Sequence, residues 1–150
     1  ILEENIKLNG FEERIKVLPV VVGKKSGEVD LYMPKNSGLV TVSMRHLDLY
    51  QADEETRAIK IPALTLTDIF SQNKIEFCDF IKMDCEGAEY DIIYNAPKDL
   101  FKRIGILTIE CHRDGNINEL MEFIHKQGFN VHRPTTEFGE IFCANKTVKV

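Results

Sequence analysis

Two short, largely apolar runs at residues 77–83 (interrupted by Asp79 and Lys82) and 104–109, separated by room for a single helix, constrain this chain more than any other feature. Runs apolar at nearly every position suit strands covered on both faces, not strands with one face in water. A helical connection between them excludes a tight hairpin and makes the two strands parallel. The intervening helix is expected over residues 88–95, ended by Pro97. The next, over residues 116–127, sets Ile117, Leu120, Met121 and Ile124 at the i, i+3, i+4, i+7 spacing, with Gly128 just past its end. Residues 129–132 and 141–144 form two last strands, joined by Pro134-Thr135-Thr136-Glu137-Phe138-Gly139, which is short enough for an antiparallel hairpin. The expectation is an α/β three-layer sandwich: a mostly parallel sheet with a C-terminal antiparallel hairpin.

The first half is less regular. Residues 1–9 bring Ile1, Leu2 and Ile6 to one helical face, and Asn9-Gly10 reads as the C-terminal cap. A strand is expected over 15–22, a turn over 23–27, and a hairpin partner or edge strand over 28–33. Residues 34–58 are broken by Pro34, Asn36, Ser37 and Gly38 and carry a solvated Asp53-Glu54-Glu55 cluster. Such a stretch either selects a substrate or is a plain surface excursion. Ile59-Lys60-Ile61 is a short strand candidate, and Thr65 or Thr67 caps a helix to about Gln72, with Asp68 in its first turn.

At 150 residues the chain suits one domain with a single core. Asp and Glu outnumber Lys and Arg 24 to 19, for a net charge of −5, which argues against duplex nucleic acid as a partner. No apolar run approaches the roughly 20 residues needed to cross a bilayer, so no membrane partner is expected. No secretory leader pattern follows Ile1, and a cytoplasmic protein is expected. The cysteines at 78, 85, 111 and 143 form no Cys-x-x-Cys pair and read as reduced, largely buried thiols.

In open α/β sheets, chemistry gathers at the carboxyl ends of the strands. One strand exits into Asp84-Cys85-Glu86-Gly87 and the other into Glu110-Cys111-His112-Arg113-Asp114. Asp84 and Glu110 are 26 residues apart, the length of one strand plus one crossover helix. On neighbouring strands about 4.8 Å apart, Asp84, Glu86, Glu110 and His112 converge on one pocket. Three carboxylates that close require either a hard cation such as Mg²⁺ or donors from substrate hydroxyls and basic groups. Lys82 shares the face of Asp84 and is expected to pair with a carboxylate. Gly87 supplies a tight turn into the next helix. Glu86 and Glu89 are as natural as helix-terminus carboxylates as they are as functional groups, and His112 alone reads as a hydrogen-bonded loop histidine; its place beside Glu110 raises it.

The segment Ile81-Lys82-Met83-Asp84-Cys85-Glu86-Gly87-Ala88-Glu89 resembles the "K-[IM]-D-x-E-G-x-E" signature of FkbM-type methyltransferases. The flanks follow in order. Asn5-Ile6-Lys7-Leu8-Asn9-Gly10 is similar to that family's "N-x-x-x-N-G" helix end, and Pro19-Val20-Val21-Val22-Gly23 with Gly27-Glu28-Val29 to its third strand and hairpin. Leu64-Thr65-Leu66-Thr67-Asp68-Ile69 resembles its "T-L-D-D-[LI]" helix start, with Thr67 where an Asp is usual, and Ile109-Glu110-Cys111-His112 resembles its "E-x-H" strand exit.

The resemblance implies a class I, Rossmann-like methyltransferase fold, S-adenosylmethionine as cofactor, and methyl transfer to an oxygen of a carbohydrate or natural-product acceptor. On that reading Val20 and Val21 border the adenine, and Asp84 lies near the methionine part of the cofactor or the acceptor. Glu110 and His112 face the acceptor hydroxyl, and His112 takes its proton. The family's Gly-rich "D-x-G-x-x-x-G" turn, and the following strand that ends in an acidic residue, have no counterpart here. The 150 residues are therefore expected to be the C-terminal portion of such a domain, lacking its first two strands, which the family's sheet order places between 15–22 and 78–84. Two other readings stay open: a catalytically inactive interaction module of the same scaffold, and a metal-dependent hydrolase using Asp84, Glu86, Glu110 and His112. An aspartate-nucleophile phosphatase would need a second Asp where Glu86 stands.

Overall fold

The computed structural model describes residues 1–35, 40–49, 56–133 and 139–147. The Asp53-Glu54-Glu55 cluster, Asn36 to Gly38 and most of the 134–139 connector lie outside them. The elements run α1 (Leu2–Leu8), β1 (Val21–Val22), β2 (Gly27–Pro34), α2 (Met44–Leu49), β3 (Thr56–Leu64), α3 (Leu66–Gln72) and β4 (Cys78–Met83). They continue with α4 (Glu89–Asn95), α5 (Lys98–Phe101), β5 (Ile104–Glu110), α6 (Ile117–Lys126), β6 (Phe129–His132) and β7 (Glu140–Asn145).

The strands form two mixed sheets, ordered β1-β3-β2 and β4-β5-β7-β6. This corrects the expectation of one mostly parallel sheet in a three-layer sandwich. Parallel pairing joins β1 to β3 and β4 to β5, whereas β2–β3, β5–β7 and β6–β7 are antiparallel. The reason lies in β7. It returns from β6 as the expected hairpin partner and also pairs with β5, so it separates the two strands that α6 connects.

The first sheet departs in a similar way. β2 pairs with β3 in an unbroken antiparallel register from Gly27↔Ala63 to Pro34↔Thr56, which makes β3 a nine-residue strand in place of the three-residue candidate. The strand expected over 15–22 shrinks to two residues. Pro19 has no N–H to give a ladder, so pairing begins only beyond it.

Local signals held where the chemistry is local. Thr65, not Thr67, caps α3: its hydroxyl accepts from the Asp68 N–H, and the Asp68 carboxylate accepts from the Thr65 N–H. Asn116 caps α6 through the N–H groups of Asn118 and Glu119. Leu120 and Ile124 of that helix are wholly buried against a core that holds Leu107 and Ile109 of β5, Phe101, Phe129 and Ile141. β5 is thus an inner strand of its sheet, and Ile109 at its exit is wholly buried. The register Met83↔Ile109 then sets Asp84 and Glu110 side by side at the carboxyl ends of two parallel strands.

Candidate active site

Beyond Met83 the chain turns sharply, with left-handed backbone at Glu86 (φ 48°) and Gly87 (φ 96°). The turn folds back onto the first residue of α4. Glu89, fully buried, accepts from the backbone N–H groups of Cys85 at 2.7 Å and Gly87 at 3.1 Å. Its carboxylate also faces Nδ1 of His112 at 2.9 Å. A carboxylate placed on donors of its own turn explains why a strand exit needs Glu at this spacing.

The two strand exits meet as expected. Lys82 Nζ lies 3.5 Å from Asp84 and 3.4 Å from Glu110, so the anticipated ion pair forms with both carboxylates at once. Partial desolvation alone would lower the Lys82 ammonium, but Asp84 and Glu110 outweigh it and hold its pKa above the ordinary range. One ligand atom each of Asp84, Glu110 and His112 also falls within 4.8 Å of the others, a spacing a metal site would share. The Lys82 ammonium bridges two of those carboxylates and offsets one of their two charges, so a basic group already stands where the sequence left a choice between Mg²⁺ and protein donors.

Glu86 sits apart from that pair and belongs to a second cluster. Its Oε2 is 3.3 Å from Nε2 of His112 and 3.3 Å from Nε2 of His46. His46, in α2, is wholly buried, and its Nδ1 lies 2.7 Å from Oδ2 of Asp114. The two imidazole rings meet edge to face, 5.1 Å between centroids. Ser43 donates to the other oxygen of Asp114 at 2.8 Å, and the Thr41 hydroxyl donates to the Glu86 carbonyl at 2.6 Å. Tyr90 of α4 donates to the His112 carbonyl at 2.9 Å. Each imidazole is therefore backed at Nδ1 by a buried carboxylate, which fixes ring orientation and tautomer.

Sequence reasoning missed His46, Glu89 as an imidazole partner, Asp114, Thr41 and Ser43. Asp114 carried a signal, since it stands on the same strand exit as His112. His46 carried only a faint one, as the single histidine in the irregular 34–58 stretch.

A cavity of about 270 Å³ opens beside these groups. Val20, Val21, Leu31 and Val42 form its apolar side, and Thr41, Asp84, Cys85 and Glu86 its polar side. The residues expected at the adenine thus share one wall system with Asp84 and Glu86. The volume is at the small end for a small-molecule pocket, room for part of a nucleoside-sized ligand. The four cysteines are free thiols. Burial pushes Cys85 up to about 11 and Cys111 up to about 12, so both stay protonated and are poor nucleophiles or metal ligands near neutrality.

An α/β chain that collects carboxylates and imidazoles at two parallel strand exits, beside an apolar slot, has the layout of a small-molecule enzyme. The model of the methyltransferase FkbM domain matches residues 3–131, and the chain belongs to that family. It is 28% identical over 106 residues to the 2-O-methyltransferase NoeI of Sinorhizobium fredii (strain NBRC 101917 / NGR234), an alignment covering 64% of this chain and 43% of the relative. The chain thus spans less than half the length of that relative. No solved structure matches. Among the described residues, no helix is long and apolar enough to cross a membrane.

Proposed function

We propose that the chain is the acceptor-side portion of an S-adenosylmethionine-dependent O-methyltransferase acting on a hydroxyl of a carbohydrate or natural product. The observation that carries this reading is His112: an imidazole at a strand exit, backed at Nδ1 by buried Glu89 and adjoining the Asp84–Glu110 pair. When bound, the cofactor supplies an electrophilic methyl group. Val20 and Val21 hold its base, and Asp84 the cationic end or the acceptor. Glu110 and Asp84 accept from acceptor hydroxyls. His112 takes the proton that the attacking hydroxyl loses, and Glu89 steadies the positive charge that arrives. Membership of a methyltransferase family and the oxygen specificity in the relative's name support the same chemistry.

The cofactor side of the domain is proposed to be completed by two strands between β1 and β4. Both end their sheets, and Phe80 of β4 is 54% exposed.

The test is transfer of a labelled methyl group from S-adenosylmethionine to a panel of oligosaccharides by the full-length protein, with His112→Asn beside it. The variant should lose about 10²–10⁴-fold in kcat while still binding cofactor by calorimetry. No cofactor binding by the wild-type protein would overturn the reading and favour an interaction module.

A further inference from the structure

The cavity beside the strand exits does not end at Val21 and Val42. A second cavity, also of about 270 Å³, adjoins it and shares Val21, Val42 and Ala88 with it. Nothing in the reaction outlined above uses this second lobe. Val29 of β2 joins the shared apolar residues in lining it, and its polar lining comes from Lys24, Lys25, Asp30, Tyr32 and Asp91.

The two lobes are tied to one turn. Tyr32 and Thr41 exchange backbone hydrogen bonds at 2.8 Å and 3.1 Å, and the Thr41 hydroxyl holds the Glu86 carbonyl. Tyr32 of the second lobe is therefore held in register with the acidic turn that lines the first. Lys24 reaches Asp91 of α4 at 2.7 Å and joins the 23–27 turn to that helix.

Their charges differ. The charged residues lining the first lobe are Asp84 and Glu86, whereas in the second two lysines balance two aspartates. A phosphate or sulfate there meets carboxylates as well as ammonium groups, and an acyl chain meets a charged lining, so neither gains much. A neutral ligand rich in hydroxyls fits better. Each hydroxyl both donates and accepts, and carboxylates, ammonium groups and a phenol together answer both roles. The valines and the body of the Tyr32 ring supply an apolar surface for the C–H face of such a ligand. Asp30 and Lys24 already have partners, Lys60 at 3.0 Å and Asp91 at 2.7 Å. Both pairs are half-exposed, and ion pairs of that kind yield to a competing hydroxyl at little cost.

We propose that the second lobe is a sugar subsite, and that the acceptor is an oligosaccharide of at least two units with one of them packed on Tyr32. Lys24, Lys25 and Asp30 select the hydroxyls of that unit. Two adjoining lobes of equal size suit two linked rings better than one compact molecule. The proposal rests on the acceptor being a glycan, as read above, but its test is binding alone, so it can fail while methyl transfer stands.

The full-length protein is applied to an array of mono- to tetrasaccharides, and the glycans it retains are titrated by calorimetry, with S-adenosylmethionine titrated separately. Every retained glycan should have two units or more. Tyr32→Ala should weaken them about tenfold or more, Tyr32→Phe, which keeps the ring, less than about threefold. Lys25→Ala, at an exposed position where folding is not at risk, should weaken the same glycans about threefold or more. Cofactor affinity should stay at the wild-type value in all three. Single sugars binding as tightly as their longer homologues, glycan affinity indifferent to Tyr32→Ala or to Lys25→Ala, or no glycan retained at all overturns the subsite. A loss of cofactor affinity in Lys25→Ala assigns the lobe to the cofactor and overturns it equally.

Discussion

Gly87 shows how little freedom the turn after β4 allows. Its φ of 96° is one that L side chains rarely adopt, and a Cβ there would come within 2.6 Å of the Asp114 carboxylate. Gly87→Ala therefore strains the backbone and pushes away the carboxylate that backs His46. A loss of about 2 kcal/mol or more is expected, read as a lower urea midpoint with unchanged slope. Glu89 makes a parallel case in charge. It is fully buried on two backbone donors and one imidazole, so Glu89→Ala orphans all three. The expected cost is about 3–5 kcal/mol, since breaking a buried charged contact leaves its partners without compensation. Glu110→Ala, at the half-exposed Lys82 pair, should cost under about 1 kcal/mol in the same titration. Comparable losses at Glu89 and Glu110 would contradict the division into a buried cluster and an open one.

α3 offers the matching test for an element that contributes no group to the site. Its capping box is formed by Thr65 and Asp68, and the Ser26 hydroxyl, followed by Thr65, holds the Asp68 carboxyl below its usual range. Thr65→Ala should cost about 1 kcal/mol in stability and leave methyl transfer unchanged. A large kinetic effect would show that α3 reaches the site after all. This helix was legible in the sequence because its signal lies within four residues, and α6 was legible because Ile117, Leu120 and Ile124 repeat at helical spacing. The Asp84–Glu110–His112 meeting was legible too, since strand length and crossover length fix where two parallel exits fall. What stayed hidden depends on contacts far apart in the chain. Nothing local says that β7 will pair with both β5 and β6, or that Pro19 will cut β1 to two residues once β3 takes β2 as its other partner. His46 was hidden for the same reason: its role appears only when α2 is docked on Asp114 and Glu86.

The molecule as a whole carries an alkaline weakness in its thiols. Cys143 is wholly buried in the core, and burial first, then the nearby Cys111, pushes it up to about 12. Cys111 itself stands at about 12 and Cys85 at about 11, both chiefly through burial. An unfolded chain releases these protons at about pH 8.5, the folded chain well above it. Between those limits the native state binds more protons than the unfolded state, so stability falls as pH rises. The stabilisation from keeping the thiols neutral is complete below about pH 8.5 and is lost progressively towards pH 11–12. Melting temperatures taken under reducing conditions should therefore drop between about pH 8 and pH 10.5. Cys143→Ala removes one of the three groups at the cost of a small cavity, so it should start from a lower melting temperature and fall less steeply over that window. If the variant and the wild type fall in parallel, the alkaline loss originates elsewhere, and the apolar seal around β5 and β7 is looser than the burial of Cys143 indicates.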